Sequence, residues 1–347
     1  MDLSLFYFAN DSTAASGGGR YDLLMEGARY ADVHGFSAVW TPERHFHPFG
    51  GSYPNPSVLG AAVAAITENV AIRAGSVVSP LHHPLRIAEE WSVVDNLSNG
   101  RVGLAFASGW NAVDFALAPG AYEGRRQTVI DSVHTVRKLW RGESLAATDG
   151  RGRDIEVRAY PPPVQDELPV WVTAARGIDT FRAAAKLKAG VLTHVLGQTP
   201  AELAAKIAEY RRVAAAEHDG WQGHVVLMLH TLLGDDLEQV RRHVDAPFRA
   251  YLKSSLHLFA SSLVGGEIDV STMNADDVDF LIEKAFERYF PTGGLFGTIE
   301  QAVEVVEMAA GIGVDELACL IDFGVDGLAA LAGLEHLGKL HSVLPRG

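Results

Sequence analysis

The sequence predicts an α/β fold, a (β/α)8 TIM barrel with a long insertion after strand seven. Short apolar runs alternate with amphipathic helical segments from the first residues to nearly the last, the pattern of a parallel sheet covered by helices. One run, residues 102–107, is almost wholly apolar, as expected for a strand buried on both faces. It ends in Ser108 and Gly109, small residues that let a ligand approach the backbone. Eight such strands, each followed by a helix, fit a closed barrel better than an open sheet.

The first half of the chain supplies four strands, predicted at residues 3–8, 38–41, 70–79 and 102–107. Helices are predicted at residues 21–34, 55–67 and 125–140, with another that begins at Pro84, where the missing N–H of proline costs nothing. Asn99-Gly100 ends that helix. Its apolar residues recur at i, i+4, i+7 and i+10 and predict one packed face: Ile87, Trp91, Val94 and Leu97.

The second half supplies the other four strands, predicted at residues 169–173, 190–195, 225–232 and 317–323. Residues 143–166 are polar and proline-rich and are interpreted as a surface excursion. Helices are expected at 180–188 and 200–217, the latter opened by a capping box of Thr199 and Glu202, and after Thr298, paired with Gln301.

The segment 235–296 is far longer than one crossover needs. It carries helical pieces and two glycine-rich stretches, residues 264–266 and 292–294, that are interpreted as flexible. Long insertions after barrel strands commonly act as lids. We therefore expect one domain over residues 1–347, with this insertion as its lid.

The composition, 48% hydrophobic and 21% charged, is that of an ordinary folded protein. A net charge of −14 argues against a nucleic-acid backbone or an anionic membrane as partner. Cys319 is the single cysteine, which excludes an intramolecular disulfide, and its apolar surroundings predict a buried, inert thiol. No signal peptide and no apolar run of about 18 residues is evident, so we expect a cytoplasmic protein.

The loop TPERHFH at residues 41–47 follows strand two, which places it on the catalytic rim of a barrel. Its carboxylate, guanidinium and imidazoles (Glu43, Arg44, His45, His47) suit acid–base chemistry. The alternative is a solvated charged loop with one structural ion pair. His45 and His47 also suggest a metal pair, but no third ligand at a suitable spacing is evident, and we predict no metal site.

Three more segments follow strands on the same rim. His82 and His83, after strand three, are interpreted as hydrogen-bonded scaffolding or an interface. His194 ends strand six, where it is either a site residue or a histidine satisfied by backbone. Residues 174–177, Ala-Ala-Arg-Gly before a helix, suit a phosphate because amide dipoles and a guanidinium favour a dianion, although a tight turn has the same sequence. No dinucleotide fingerprint, P-loop or nucleophile elbow is present.

Taken in order, these segments resemble the bacterial-luciferase-like, flavin-dependent monooxygenase family. The resemblance is carried by AVWTPERHFHPFG at 38–50, SVVSPLHHPLRIAEEWSVVDNLSNGRVGLAFASGW at 76–110, LPVWVTAARG at 168–177 and GTIEQAVEVVEMAAGIGVDELACLIDFG at 297–324. Their order and spacing along the barrel pattern make it specific. ERHFHPFGG and THVLGQTP look like the branch associated with nonribosomal-peptide and polyketide natural-product biosynthesis.

The resemblance implies a barrel that binds FMN at its C-terminal rim and oxygenates a substrate through a flavin C4a-(hydro)peroxide. It also implies a non-proline cis peptide at Gly75-Ser76, pressed against the flavin ring. The remaining positions expected to bind the cofactor are Ser108, Gly109 and Trp110 after strand four, Ala175, Arg176 and Gly177 at the phosphate, and His194 near the ring.

One departure concerns catalysis. The luciferases proper carry two adjacent histidines after the glutamate, whereas this chain has Arg44 and keeps only His45. An arginine cannot act as a general base at neutral pH, but it can stabilise a peroxide anion or steer an anionic substrate. We assign acid–base work to His45, oriented by Glu43.

The resemblance further implies a homodimer and a separate flavin reductase that delivers FMNH2, since no NAD(P)H fingerprint is present. The substrate is expected to be a biosynthetic small molecule, free or tethered to a carrier protein, held in a dry cavity formed by Phe8, Phe46, Trp110 and the insertion. The alternatives are hydride transfer with the deazaflavin F420, or FMN binding without turnover. Carbon hydroxylation, nitrogen oxidation and Baeyer–Villiger insertion all stay open.

Overall fold

The computed structural model describes residues 1–8, 19–47, 50–175, 177–256, 259–260 and 272–344. The strands in these residues are β1 (Asp2–Tyr7), β2 (Ala38–Thr41), β3 (Ala71–Val78), β4 (Val102–Ala107), β5 (Leu145–Thr148), β6 (Asp154–Val157), β7 (Val170–Thr173), β8 (Gly190–His194), β9 (Val225–Leu233), β10 (Gly294–Gly297) and β11 (Glu316–Asp322). Eight of them close into a parallel barrel in the order β11-β1-β2-β3-β4-β7-β8-β9, with β9 paired to β11. The predicted (β/α)8 barrel is confirmed, and the predicted barrel strands agree with these bounds to within about two residues at each end.

Ten helices in the same residues are α1 (Asp22–Val33), α2 (Pro56–Ala64), α3 (Pro84–Ser98), α4 (Arg125–Trp140), α5 (Ile178–Lys186), α6 (Pro200–Glu217), α7 (Leu237–Ser254), α8 (Ala275–Thr292), α9 (Ile299–Gly311) and α10 (Gly327–Val343). Their ends follow local chemistry. The predicted capping box at Thr199 and Glu202 begins α6, and Asn99, in the left-handed conformation, ends α3. Leu97 is an exception to the predicted packed face, because it is 58% exposed. Ten residues along a helix place it about 80° around the axis from Ile87.

Two segments contain strands that were not predicted from the sequence. The excursion at 143–166 contains the antiparallel hairpin β5–β6. The stretch 292–294, expected to be flexible, leads into β10, which pairs in parallel with the second half of β9. Gly294 allows this because a Cβ there would collide with the ring of Phe296. The other stretch expected to be flexible, 264–266, lies outside the described residues.

The buried side chains form two clusters. One lies between the strands and the surrounding helices, and it includes Leu3, Leu5 and the fully buried Cys319, whose pKa burial raises to about 12. The other joins barrel residues such as Phe6 to Phe248 and Phe286 on the insertion helices α7 and α8. The predicted insertion after strand seven is therefore packed onto the side chains that fill the barrel.

An ion pair occupies the barrel near the N-terminal ends of its strands. Arg73 Nη1 lies 2.8 Å from Glu316 Oε2, and the Arg73 guanidinium lies 4.9 Å and 4.6 Å from the ring centroids of Trp40 and Trp171. Burial by itself raises the pKa of Glu316, but Arg73 brings it below its usual range. Because the ion pair and the two tryptophan rings fill this end of the barrel, a ligand site is expected at the opposite end, where the strands have their carboxyl termini. None of the described helices combines the length and the apolarity needed to cross a membrane.

Candidate active site

Glu43 lies just beyond the end of β2 and is the centre of a hydrogen-bonded cluster. Its Oε1 accepts hydrogen bonds from His45 Nε2 at 2.9 Å and His82 Nε2 at 2.6 Å. Its Oε2 accepts one from the Val78 N–H at 2.7 Å. The Glu43 side chain has no exposed surface. The contact of His45 with Glu43 is as predicted, and burial of Glu43 and Arg44 contradicts the alternative of a solvated loop.

Burial and hydrogen bonding have opposite effects on the pKa values of Glu43 and His82. Burial raises the pKa of Glu43, but hydrogen bonds from His45 and His82 outweigh it and leave that pKa below its usual value. Burial lowers the pKa of His82, but its hydrogen bond to Glu43 raises it above the usual value overall. The cluster therefore holds a carboxylate and favours a protonated His82.

His82 joins the site although the sequence favoured scaffolding for the pair at 82–83. His83 does have that role, because it caps α3 by accepting a hydrogen bond from the Leu85 N–H at 3.2 Å. His82 instead reaches Glu43 across the barrel rim. The sequence held an indication of this contact, since Glu43 and His82 follow the carboxyl ends of the neighbouring strands β2 and β3.

Arg44 is buried beside this cluster, with 4% of its surface exposed. Its guanidinium lies 4.4 Å from the ring centroid of Trp110, and Nη1 lies 3.5 Å from Asp114 Oδ2. Nε and Nη1 are buried and have no hydrogen-bond partner among the described residues. Burial lowers the pKa of Arg44 and Asp114 opposes that shift, and a guanidinium stays charged at neutral pH regardless. Asp114 lies in the short 3₁₀ helix Ala112–Leu117 and was not predicted as a site residue from the sequence.

The ends of β3, β4 and β7 meet beside these residues. The Gly75–Ser76 peptide bond is cis, as predicted, and Ser76 Oγ lies 2.5 Å from Thr173 Oγ1. Gly109 has φ 72°, and a Cβ there would lie 2.9 Å from both Phe115 and Val78. No side chain fits at Gly109, so backbone lines this part of the rim.

Trp110, which follows, is 47% exposed, and Ser108 is half-buried. The rim after β4 therefore offers a flat ligand the indole ring of Trp110, the hydroxyl of Ser108 and the backbone at Gly109. The predicted contacts of these residues with a flavin stay a prediction.

The predicted phosphate turn joins β7 to α5. Gly177 is the N-cap of α5, and no side chain caps the first amides of this helix, which leaves them available to an anion. Gln198 Nε2 donates to the carbonyl oxygens of Ala175 and His194, and Lys206 Nζ donates to Gln198 Oε1 at 2.6 Å. Arg176 lies outside the described residues.

A cavity of about 210 Å³ lies next to this turn. Gln198 and Thr199 line it on one side, and Arg288 and Tyr289 of the insertion helix α8 line it on the other. The insertion thus contributes to the surface beside the predicted phosphate turn.

A second histidine, His230 on β9, lies near His194 and was missed in the sequence. It is 2% exposed, and its ring lies 4.0 to 5.3 Å from the ring centroids of Phe248, Tyr251 and Phe323. Burial and the neighbouring His194 lower its pKa to about 3, so it is neutral at physiological pH. The signal was a lone histidine in the apolar run 225–233.

The cluster holds two histidines and a glutamate, side chains that bind metal ions in other proteins. Within the described ranges, no group of three or more His, Cys, Asp or Glu side chains is arranged to hold a metal ion.

The chain matches known proteins over nearly its whole length. A family model described as luciferase-like monooxygenase matches residues 1–316. The oxygenase component of the flavin-dependent trigonelline monooxygenase of Acinetobacter baylyi is 24% identical over 331 residues, which cover 94% of this chain and 89% of that protein.

Solved structures show the same fold. The monooxygenase RslO1 of Streptomyces bottropensis has a TM-score of 0.78 at 21% identity, with 98% of each chain covered. The oxygenating constituent of the 3,6-diketocamphane monooxygenase of Pseudomonas putida, in complex with FMN, has a TM-score of 0.75 at 16% identity, with 99% of each chain covered. An F420-dependent secondary alcohol dehydrogenase with an F420–acetone adduct has a TM-score of 0.67 at 16% identity, with 95% of this chain and 97% of that chain covered.

Proposed function

Since the chain belongs to the luciferase-like monooxygenase family, we propose that it is the oxygenase component of a two-component flavin-dependent monooxygenase. It receives FMNH2 from a separate flavin reductase and uses O2 to oxygenate a small-molecule intermediate of natural-product biosynthesis, either free or bound to a carrier protein. The observation that carries this proposal is the buried carboxylate of Glu43, hydrogen-bonded to His45, His82 and the N–H of Val78, whose side chain lies against Gly109 on the rim.

The described residues fit a flavin mononucleotide. A Cβ at Gly109 would collide with Phe115 and Val78, so the chain presents bare backbone there, and the uncapped first amides of α5 suit a phosphate. In this proposal the flavin ring lies against Gly75, Ser76 and the segment 108–110, with His194 near it. The phosphate is held at the turn 175–177. Bound reduced flavin supplies the electrons that activate O2.

The protein supplies proton transfer and orientation. His45 Nε2 is engaged by Glu43, so Nδ1 is the ring atom left to move a proton at the substrate. Glu43 fixes the tautomer and the plane of that ring, as a carboxylate does in other acid–base pairs. His82, whose side chain is 31% exposed against 10% for His45, connects the same carboxylate to solvent.

The insertion serves as the lid in this proposal. Its helices α7 and α8 share the apolar cluster inside the barrel with the strands, and this supports their role in excluding water during turnover. A homodimer through α2 and α3 is part of the same proposal, because Val58, Val93 and Leu97 present exposed apolar surface there.

F420-dependent hydride transfer is the second candidate function, favoured by the likeness of the fold to an F420-dependent dehydrogenase. FMN binding without turnover is disfavoured, because a scaffold that only stores flavin has no need of the cluster around Glu43.

Anaerobic titration of the purified protein with FMNH2 and with reduced F420, followed by mixing with O2, tests these alternatives. The proposal expects tight FMNH2 binding and a rapid spectral change on oxygen addition, slowed in the Glu43→Gln variant. Tight F420 binding without oxygen consumption would support the second candidate. Binding of FMN with no reaction toward O2 would support storage.

A further inference from the structure

Arg44 is the one buried arginine of the described residues, and it differs from three half-buried arginines in what its guanidinium binds. Arg73 forms a 2.8 Å ion pair with Glu316. Arg101 donates to the carbonyl oxygens of Thr67, Val70 and Ser98, and Arg137 donates to two carbonyl oxygens that follow α5. Nε and Nη1 of Arg44, whose side chain is 5% exposed, make no hydrogen bond to any described residue. Buried guanidinium donors are normally paired, so these two nitrogens of Arg44 are donors without an acceptor among the described residues.

Asp114 balances the charge of Arg44 without satisfying its donors. The 3.5 Å separation of Arg44 Nη1 and Asp114 Oδ2 forms an ion pair but no hydrogen bond. Asp114 Oδ1 is occupied by Asn111 Nδ2 at 2.7 Å. The pair therefore keeps Arg44 charged and in place, and the planar donor array is left for another acceptor.

We propose that Arg44 binds a carboxylate group of the substrate, which makes the substrate of the proposed monooxygenase a carboxylate-bearing compound. This inference rests on the proposed function. A guanidinium matches the two oxygens of a carboxylate, and Trp110 on its face holds its plane fixed. Because Arg44 and His45 share the loop that follows β2, the proposal puts the carboxylate on the same part of the rim as the group assigned to proton transfer.

The local charges favour a monoanion over a phosphate. Arg44 carries one positive charge and Asp114 one negative charge, so a dianion would leave two uncompensated charges in a buried place. The other acidic group near Arg44, Glu43, is already engaged by His45 and His82. The flavin phosphate has its own predicted turn at 175–177, on β7, which β3 and β4 separate from β2 in the sheet.

Calorimetric titration of the FMN-loaded protein with benzoate and with the uncharged benzamide tests the inference. Wild type is expected to bind benzoate saturably and more tightly than benzamide. Arg44→Met is expected to lower benzoate affinity by about 10-fold or more, because a hydrogen-bonded charged contact is lost, and to leave benzamide unchanged. Arg125→Met is the matched control, since Arg125 also lies over an aromatic ring, at 4.0 Å from Tyr122.

Asp114→Asn is a second test variant, and its expected effect on benzoate affinity is opposite to that of Arg44→Met. It keeps an acceptor for Asn111 and removes the competing negative charge, so benzoate is expected to bind several-fold more tightly. This result does not depend on whether Arg44→Met folds well.

Several outcomes would overturn the inference. For the wild-type protein, these are binding of FMN without binding of benzoate, equal affinity for benzoate and benzamide, or a higher affinity for inorganic phosphate than for benzoate. For the Arg44→Met variant, the outcome is a lower affinity for FMN relative to riboflavin together with an unchanged affinity for benzoate. The last outcome would assign Arg44 to the flavin phosphate. Wild-type protein that binds no FMN would instead refute the proposed function.

Discussion

Replacement of Glu43 by glutamine tests the central cluster most directly. The carboxylate accepts three hydrogen bonds, from His45, His82 and the Val78 N–H, with no exposed surface. An amide has one oxygen and one NH2 group. If its oxygen faces the two histidines, the NH2 group opposes the Val78 N–H. If it is flipped, the NH2 group opposes the histidine donors.

The first orientation leaves the buried Val78 N–H without an acceptor, and the second requires both imidazoles to present Nε2 as an acceptor or lose their hydrogen bond, at a cost of about 1–3 kcal/mol for each lost bond. Loss of the charge also weakens the bond to His82, so we expect a total destabilisation of about 2–4 kcal/mol. With an unfolding entropy of about 2.1 cal/mol/K per residue, a chain of 347 residues would melt about 3–6 °C lower.

Differential scanning calorimetry at pH 6 gives the melting temperature, and Glu304→Gln on the exposed face of α9 is the control. The control should shift by less than about 1 °C, as ordinary surface substitutions do. An unchanged melting temperature in Glu43→Gln, with an unchanged pH profile of oxygen consumption, would show that the buried carboxylate neither holds the two histidines nor serves the reaction.

Three further predictions concern neighbouring residues. Gly75→Ala places a Cβ 2.6 Å from the Phe6 ring, so it should lower the free energy of unfolding by about 1–3 kcal/mol and weaken FMN binding. The control Gly311→Ala, with no atom within 4 Å of the new Cβ, should change neither quantity. Equal melting temperatures for the two variants would contradict the close packing at Gly75. Gly109→Ala, at φ 72° with Phe115 at 2.9 Å, should lower FMN affinity in a fluorescence titration while Gly120→Ala, in open space, does not. The raised pKa of His82 means that its contribution to stability is fully present below about pH 6.5 and is lost as the pH rises through the folded-state pKa. The gap in unfolding free energy between wild type and His82→Gln should therefore shrink from pH 6 to pH 9 in urea titrations, and a gap that grows would reverse the assigned direction.

Barrel strands were predictable because burial on both faces gives uninterrupted apolar runs, as in residues 102–107. The hairpin β5–β6 lacks that signal, since its residues are mostly exposed or half-buried. Strand β10 begins and ends in glycine, and its pairing with β9 depends on residues more than sixty positions away. Nothing local in Gly-Leu-Phe-Gly distinguishes a paired strand from a turn.

The part of the candidate site that lies within a single loop was predictable from the sequence. Glu43 and His45 are two positions apart, and their hydrogen bond follows from their neighbourhood. The contributions of His82 and Asp114 depend on which strand ends meet, which requires the sheet order. For His82 that order was implicit in the predicted barrel, because strands two and three are neighbours. For Asp114 it was not, because the 3₁₀ helix that carries it has no periodic pattern.

The exchange of a histidine for Arg44 separates two tasks that one imidazole could combine. An arginine supplies fixed charge and directional donors at every physiological pH, so the proposed mechanism assigns proton transfer to His45 and, through Glu43, to His82. In this proposal the fixed charge of Arg44 lowers the cost of a bound anion, and the adjacent imidazole stays available for proton transfer. If this division is correct, Arg44→Met should raise KM for a carboxylate substrate with little change in the pH dependence of kcat. His45→Asn should instead abolish that pH dependence and leave KM nearly unchanged. The reverse assignment of the two effects would show that Arg44 acts on the reacting atoms themselves.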